Sequence, residues 1–339
     1  MILSILYNLV LYQKGGIYID NQRILPKTVQ VYKRLLHRIP KDQSIYFEIE
    51  NKIRSAEAGY NGECYVDNFI RQVSFPKHYA ILKDIHIQIA ENNYLQIDTL
   101  ILTKKYITIL EVKNIRGKIY FQKNPDQLIR EVDGVTTPFK CPEQQLKRHV
   151  RNLQVLLQVA KINIPIRSLI VLAYSKTQVV LPPQYTKVVM GCDISNKLND
   201  YNQLPDSIST IKFQQLLNYL ISHSQDFIPK PLAQTYSIAF SLIKTGLFCP
   251  NCAIKVKNRN KCPNCKTSKS LMQKQALEDW FYLVKGNISN HECVYFLELK
   301  DKYAASYLFK TLNLLPMNHF KSRYYILQKS SVSSTYDHL

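Results

Sequence analysis

Two neighbouring segments, Tyr94-Leu-Gln-Ile-Asp98-Thr-Leu-Ile-Leu102 and Tyr106-Ile-Thr-Ile-Leu-Glu111-Val-Lys113, constrain the fold more than any other stretch of the chain. Side chains alternate along a strand, so Ile107, Ile109, Glu111 and Lys113 share one face while Thr108, Leu110 and Val112 share the other. Both faces begin apolar, which suits a strand covered on both sides. An acid and a base at its carboxyl end have no place in that pattern, so the strand reads as one that ends in a site. A turn centred on Lys104 and Lys105 sets Asp98 directly opposite Glu111; a four-residue loop keeps this register and a three-residue loop offsets it by one. Opposed carboxylates repel, so something positive belongs between them. A hard divalent cation, Mg²⁺ or Mn²⁺, is held through one or two carboxylates plus water and phosphate oxygens, which suits Asp98 and Glu111. Lys113 is placed to stabilise charge or orient an attacking water. The competing reading of Glu111 and Lys113 is a strand-end ion pair.

The 339 residues, 46% of them hydrophobic, suffice for two or three domains with well-formed cores. An excess of 45 Lys and Arg over 25 Asp and Glu gives a net charge of +20. Such a balance points to a polyanionic partner, with nucleic acid favoured over an acidic membrane surface because no strongly hydrophobic anchor is visible. The opening apolar run Met1 to Tyr12 is shorter than the roughly 20 residues a bilayer span needs, and it lacks the positive stretch of a secretory signal. A cytoplasmic protein without a membrane role is expected. Of the eight cysteines, Cys64, Cys141, Cys192 and Cys293 are scattered singly, which is no disulfide framework. The histidines, His86 and His149 among them, show no ligand spacing and read as structural or surface groups.

The organisation expected is an N-terminal helical segment over residues 1–50, an α/β domain over 51–195 and a helical connector over 196–245, with smaller domains over 246–270 and 271–339. Helices are expected over residues 22–40 and Ser55 to Ile70, and strands over Tyr79 to Ile87, Tyr94 to Leu102, Tyr106 to Lys113, Lys118 to Gln122 and Leu128 to Val132. Pro142 opens a long helix with a stripe of Leu146, Val150, Leu153, Leu157 and Ala160, and further strands follow at Ser168 to Tyr174 and Lys187 to Met190. Cys249-Pro-Asn-Cys252 and Cys262-Pro-Asn-Cys265 are two near-identical knuckles. Paired thiolates of this spacing supply the four ligands of a structural, tetrahedral Zn²⁺, so residues 246–270 read as a zinc ribbon. Two short helices, Ser289 to Leu299 and Lys302 to Leu314, and a strand at Tyr324 to Leu327 then resemble a winged helix. On that reading Lys302, Ser306 and Lys310 face outward and Lys321 and Arg323 sit on the wing, where they contact a nucleic-acid backbone. A small helical cap with solvated lysines fits the same pattern equally well.

Taken together, Glu57-Ala-Gly-Tyr-Asn-Gly-Glu63, Leu95-Gln-Ile-Asp98, Leu110-Glu-Val-Lys-Asn114-Ile-Arg-Gly117 and Pro142-Glu-Gln-Gln145 resemble the nuclease-related domain, NERD, over about residues 55–175. The resemblance implies a restriction-endonuclease-like mixed sheet flanked by helices, followed by the small zinc ribbon and the small helical, winged-helix-like domain. It implies Glu63 as a helix acid near the metal, Asp98 and Glu111 as metal ligands, Lys113 as base or charge stabiliser, and Gln145 as the glutamine after the family's proline. The function it implies is Mg²⁺-dependent phosphodiester hydrolysis of DNA, assisted by the zinc ribbon and the C-terminal helices. The alternative is a non-catalytic nucleic-acid-binding protein whose nuclease-like domain is structural or regulatory.

Overall fold

The computed structural model describes residues 11–13, 16–91, 93–225, 230–257, 259–318 and 323–327. Lys321 and most of the opening apolar run lie outside the described residues. The chain divides into two compact units, one within Met1–Ile24 and Ala58–Asp226, the other within Leu25–Glu57 and Phe227–Leu339.

The first unit contains strands β1 (Leu11–Gln13), β2 (Gly16–Asp20), β3 (Tyr79–Ala90), β4 (Asn93–Thr103), β5 (Ile107–Lys113), β6 (Gly117–Gln122), β7 (Gln127–Val132), β8 (Val135–Lys140), β9 (Ile166–Leu172), β10 (Thr177–Leu181) and β11 (Lys187–Met190). A seven-stranded sheet has the order β1-β2-β3-β4-β5-β9-β11, and a four-stranded sheet the order β10-β6-β7-β8. β3, β4 and β5 run antiparallel, whereas β5 pairs parallel with β9 and β9 with β11, so the large sheet is mixed. The fold class is the expected one: mixed sheets flanked by helices. The strand β7 was expected at Leu128 to Val132, whereas β8 and β10 were not foreseen from the sequence. β8 carries Pro138 and few buried side chains, as an edge strand does, so it lacks the apolar pattern by which strands are recognised.

Helices α1 (Lys27–Arg38), α2 (Ser44–Ile70), α3 (Pro142–Val159), α4 (Ile194–Asn202) and α5 (Thr210–His223) follow the chain. One face of the large sheet packs Leu100, Ile109 and Ile170 against Leu146, Leu153 and Leu157 of α3 and Phe213, Leu216 and Leu220 of α5. The other packs Ile81, Ile101, Leu110 and Val171 against Val66 and Ile70 of α2 and Ile194 and Leu198 of α4. Burial on both faces accounts for the near-continuous apolar strands. Helix α2 begins eleven residues earlier than the sequence suggests, at Ser44. Its Ile49 and Ile53 belong to the core of the second unit and its Val66 and Ile70 to the first, so no single apolar stripe runs its length. Gly117 adopts φ +92°, and a Cβ there would meet the Glu131 carbonyl at 2.4 Å, so this tight entry into β6 requires glycine.

The second unit holds α1, the start of α2 and, after the cysteine knuckles, α6 (Lys269–Asp279), α7 (Asn290–Leu297) and α8 (Lys302–Thr311). Leu315–Met317 and Tyr324–Ile326 pair as a small antiparallel hairpin, giving the expected run of two helices and a strand one further strand. At its centre the Arg38 guanidinium, 1% exposed, meets Asp279 at 2.8 Å and donates to the carbonyls of Lys244 and Gly246 at 2.8 and 3.2 Å. The rings of Phe248 and Phe296 lie 4.6 and 4.8 Å from the Arg38 guanidinium carbon. Burial pushes the Asp279 carboxyl up, although Arg38 and Arg34 oppose it.

Candidate functional site

Leu102 pairs with Ile107 and Thr99 with Leu110, so residues 103–106 form a four-residue loop and the β4–β5 register is the one a turn centred on Lys104 and Lys105 predicts. The paired ladder ends at Thr99, and Asp98 and Glu111 are the next residues along it. Glu111 is 1% exposed and accepts from Lys113 Nζ at 2.6 Å.

The neighbouring hairpin carries an irregularity at the same level. Lys83 pairs with Thr99 and Ile85 with Ile97, which leaves Asp84 and Asp98 facing each other without a ladder pair. Asp84 has φ +55°, a left-handed conformation that costs about 1–3 kcal/mol for a non-glycine residue and gathers at functional sites. Ile97 and Leu100 join the same core, as do Leu82 and Ile85, so both strands switch face at the two aspartates. Strict alternation fails there.

Glu63 arrives on α2. A Cβ on the preceding Gly62 would stand 2.8 Å from Asn114 Cβ and 3.3 Å from Ala173 Cβ, so glycine allows the helix to press against the end of β5. Asn114 Nδ2 donates to the Ala58 carbonyl at 2.7 Å and fastens the approach. Glu63 Oε2 then lies 2.7 Å from Arg23 Nη1. Arg23 Nε also meets Asp67 at 3.1 Å, Nη1 meets Asp84 at 3.3 Å and the Asp98 carbonyl at 3.2 Å, and Nη2 donates to Thr99 Oγ1 at 2.7 Å.

Asp98 is the electrostatic hub. Burial pushes the Glu63 carboxyl up to about 8, with the Asp98 charge the next cause and Arg23 opposing. Glu111 is pushed up to about 7 by burial and then by Asp98, against the pull of Lys113. Asp98 is itself raised by burial, with Lys113 and Arg23 drawing it down. Five carboxylates, Glu63, Asp67, Asp84, Asp98 and Glu111, stand against the four cations Arg23, Lys83, Lys113 and Arg148, and every donor is a hard oxygen. The chemistry of the set fits a divalent cation such as Mg²⁺. Gln145 sits half-buried on the first turn of α3, and no hydrogen bond joins its side chain to these groups. One turn on, His149 is pushed down to about 4 by burial and by the Arg148 and Lys113 charges, and its buried Nδ1 has no partner. The structure thus joins Glu63 to the Asp98 backbone through Arg23 and Lys113 to Glu111, with the Asp98 charge raising both Glu63 and Glu111, and joins Gln145 to none of them.

Residues 58–173 match the nuclease-related domain family, NERD. The chain carries a nuclease-related domain. The match takes in Glu63, Asp67, Asp84, Asp98, Glu111, Lys113 and Gln145, whereas Arg23 and the cysteine knuckles lie outside it. Comparison with curated proteins and with solved structures found no match.

Sequence reasoning missed Arg23, Asp67, Asp84 and Lys83. Asp84 carries the signal used for Asp98, an acid within an apolar strand where Asp is disfavoured. Arg23 carries none, because it precedes the NERD domain in a segment of mixed polarity.

Beyond the NERD domain, the ligand atoms of Cys249, Cys252, Cys262 and Cys265 lie within 4.8 Å of one another, the one such group of three or more found among the described residues. The two knuckles repeat one geometry: the amides of Ala253 and Lys266 donate to the carbonyls of Cys249 and Cys262 at 2.9 and 3.0 Å, and both residues take positive φ. Four thiols so gathered fit a closed Zn²⁺ site and the zinc ribbon read from the spacing. In α8, Lys302, Ser306 and Lys310 are exposed, as is Arg323 beside the terminal hairpin. Ser306 Oγ accepts from Asn290 Nδ2 at 2.7 Å, which ties α8 to α7.

Proposed function

We propose that the NERD domain is a Mg²⁺-dependent phosphodiesterase acting on DNA. The observation that carries this reading is the surplus of carboxylate around Asp98, with the Lys113 ammonium held 2.6 Å from buried Glu111 at the edge of that surplus. Asp98 and Glu111 would hold the ion, which when bound supplies polarisation of a phosphoryl oxygen and acidification of a water. Lys113, 29% exposed at its side chain, offers positive charge to the oxygen on which negative charge develops. Its bond to Glu111 fixes the ammonium in advance, so little reorganisation is needed as charge builds. Glu63 acts from the helix by holding Arg23 and by adding to the potential that attracts cations.

The first unit also carries a basic patch suited to the DNA backbone. Tyr185, 68% exposed, gathers Lys147 Nζ at 4.2 Å and Lys123 Nζ at 5.0 Å from its ring centre. Buried Glu143 fixes the loop by accepting from the amides of Tyr185 and Thr186 at 2.7 and 2.8 Å. Two ammonium groups collected on one ring favour a phosphate between them. A structural Zn²⁺ on the four cysteines, with Lys302, Ser306, Lys310, Lys321 and Arg323, would add backbone affinity from the second unit. Among the described residues no helix is long and apolar enough to cross a membrane.

The test is cleavage of single-stranded, duplex and branched DNA with Mg²⁺ or Mn²⁺. Glu111→Ala and Lys113→Ala are expected to abolish cleavage and keep binding. An inert wild type that binds DNA under every divalent ion tried replaces this reading with the non-catalytic binding protein.

A further inference from the structure

Arg23 is 2% exposed at its side chain and is drawn into the acidic cluster from outside the NERD domain. Its Nη1 carries two hydrogens, yet three oxygens converge on it: Glu63 Oε2 at 2.7 Å, the Asp98 carbonyl at 3.2 Å and Asp84 Oδ1 at 3.3 Å. More acceptors than hydrogens around one cationic nitrogen, two of them carboxylates, is the surrounding of a hard cation. The guanidinium is also clamped on its other edges, by Asp67 at Nε and by fully buried Thr99 at Nη2.

The clamp has its own support. Lys83 Nζ, 3% exposed, reaches Asp20 at 2.7 Å and Asp67 at 3.5 Å. Asn21 brackets the Lys83 backbone, accepting from its amide at 2.8 Å and donating to its carbonyl at 3.3 Å. The segment carrying Asp20, Asn21 and Arg23 is therefore stitched to β3 beside the irregular Asp84. Arg23 is a fixture of the cluster and has no free edge on which to swing out.

We propose that Arg23 permanently fills what would otherwise be a second cation position, so that the site takes a single divalent ion on Asp98 and Glu111. Glu63 and Asp84 are committed to the guanidinium. Arg23 is then a positioning residue: it grips the backbone of Asp98 and leaves that carboxylate to the ion. This rests on reading the site as a divalent-ion site.

The test counts ions on the full chain, loaded with zinc so that the thiolates are occupied, by Mn²⁺ titration read by calorimetry and by paramagnetic resonance. Wild type is expected to take one Mn²⁺ and Glu111→Ala none. Arg23→Met should take two, falling to one in the Arg23→Met, Glu63→Gln double variant, while Arg23→Lys keeps one. A second ion in wild type, or a single ion in Arg23→Met, overturns the inference and leaves the divalent-ion reading standing. No ion in wild type overturns both. Arg23→Met leaves Glu63 and Asp84 without their cation and Asp67 with Lys83 alone, and is expected to unfold at lower temperature. Millimolar Ca²⁺ should restore its melting temperature but not that of the double variant, and failure to restore it counts against the inference.

Discussion

Two glycines three residues apart in α2 should respond differently to the same substitution. An added Cβ at Gly59 meets nothing within 4 Å, whereas at Gly62 it stands 2.8 Å from Asn114 Cβ and 3.3 Å from Ala173 Cβ. Carbon atoms rest about 3.5–4.0 Å apart, so the overlap with Asn114 is roughly 0.7 Å or more. Asn114 is tied to Ala58, and Ala173 lies in the core, so neither gives way easily. Replacing glycine by alanine inside a helix returns about 1 kcal/mol, and overpacking costs about 1–3 kcal/mol. Gly59→Ala should stabilise by about 1 kcal/mol, whereas Gly62→Ala should be neutral to about 2 kcal/mol destabilising. Urea unfolding followed by far-ultraviolet circular dichroism measures this, since the single tryptophan, Trp280, belongs to the second unit. Equal stabilisation by both substitutions would refute the claim that close approach of helix and strand end sets Glu63.

In the second unit Asp279→Ala leaves buried Arg38 without its carboxylate and should cost about 3–5 kcal/mol, read by calorimetry. His149 is held near 4 in the folded chain against an ordinary value of 6.5, so the unfolded chain binds more protons between those limits. Stability should fall as pH drops from about 6.5 to 4, and His149→Gln should flatten that fall in urea midpoints measured across the window. Removing zinc with a chelator should lower the melting temperature of the second unit and free four thiols for titration. Lys123→Glu together with Lys147→Glu should weaken DNA binding and reduce the slope of log affinity against log salt by about 1–2, with no change in the ion count at Asp98.

The apolar strands, the β4–β5 register and the cysteine knuckles were legible in the sequence because each follows from local periodicity or spacing. Asp98 and Glu111 stood out for the same reason: a charge on a buried strand breaks a strong pattern. The switch of face at Asp84 and Asp98 was not legible, since alternation assumes a regular strand and a single left-handed residue undoes it. Arg23 was invisible for another reason. Its role arises from parallel pairing of β2 with β3, a contact between residues some sixty positions apart. The early start of α2 was hidden because its two halves bury side chains in different cores.

The proposed nuclease needs a divalent ion held by Asp98 and Glu111 beside Lys113. Anomalous scattering at the manganese edge from crystals of the zinc-loaded protein grown with Mn²⁺ measures this directly. A manganese peak at the Asp98 and Glu111 carboxylates, absent from Glu111→Ala crystals, is the predicted result. Ordered Asp98 and Glu111 carboxylates with no peak beside them at saturating Mn²⁺ would contradict it.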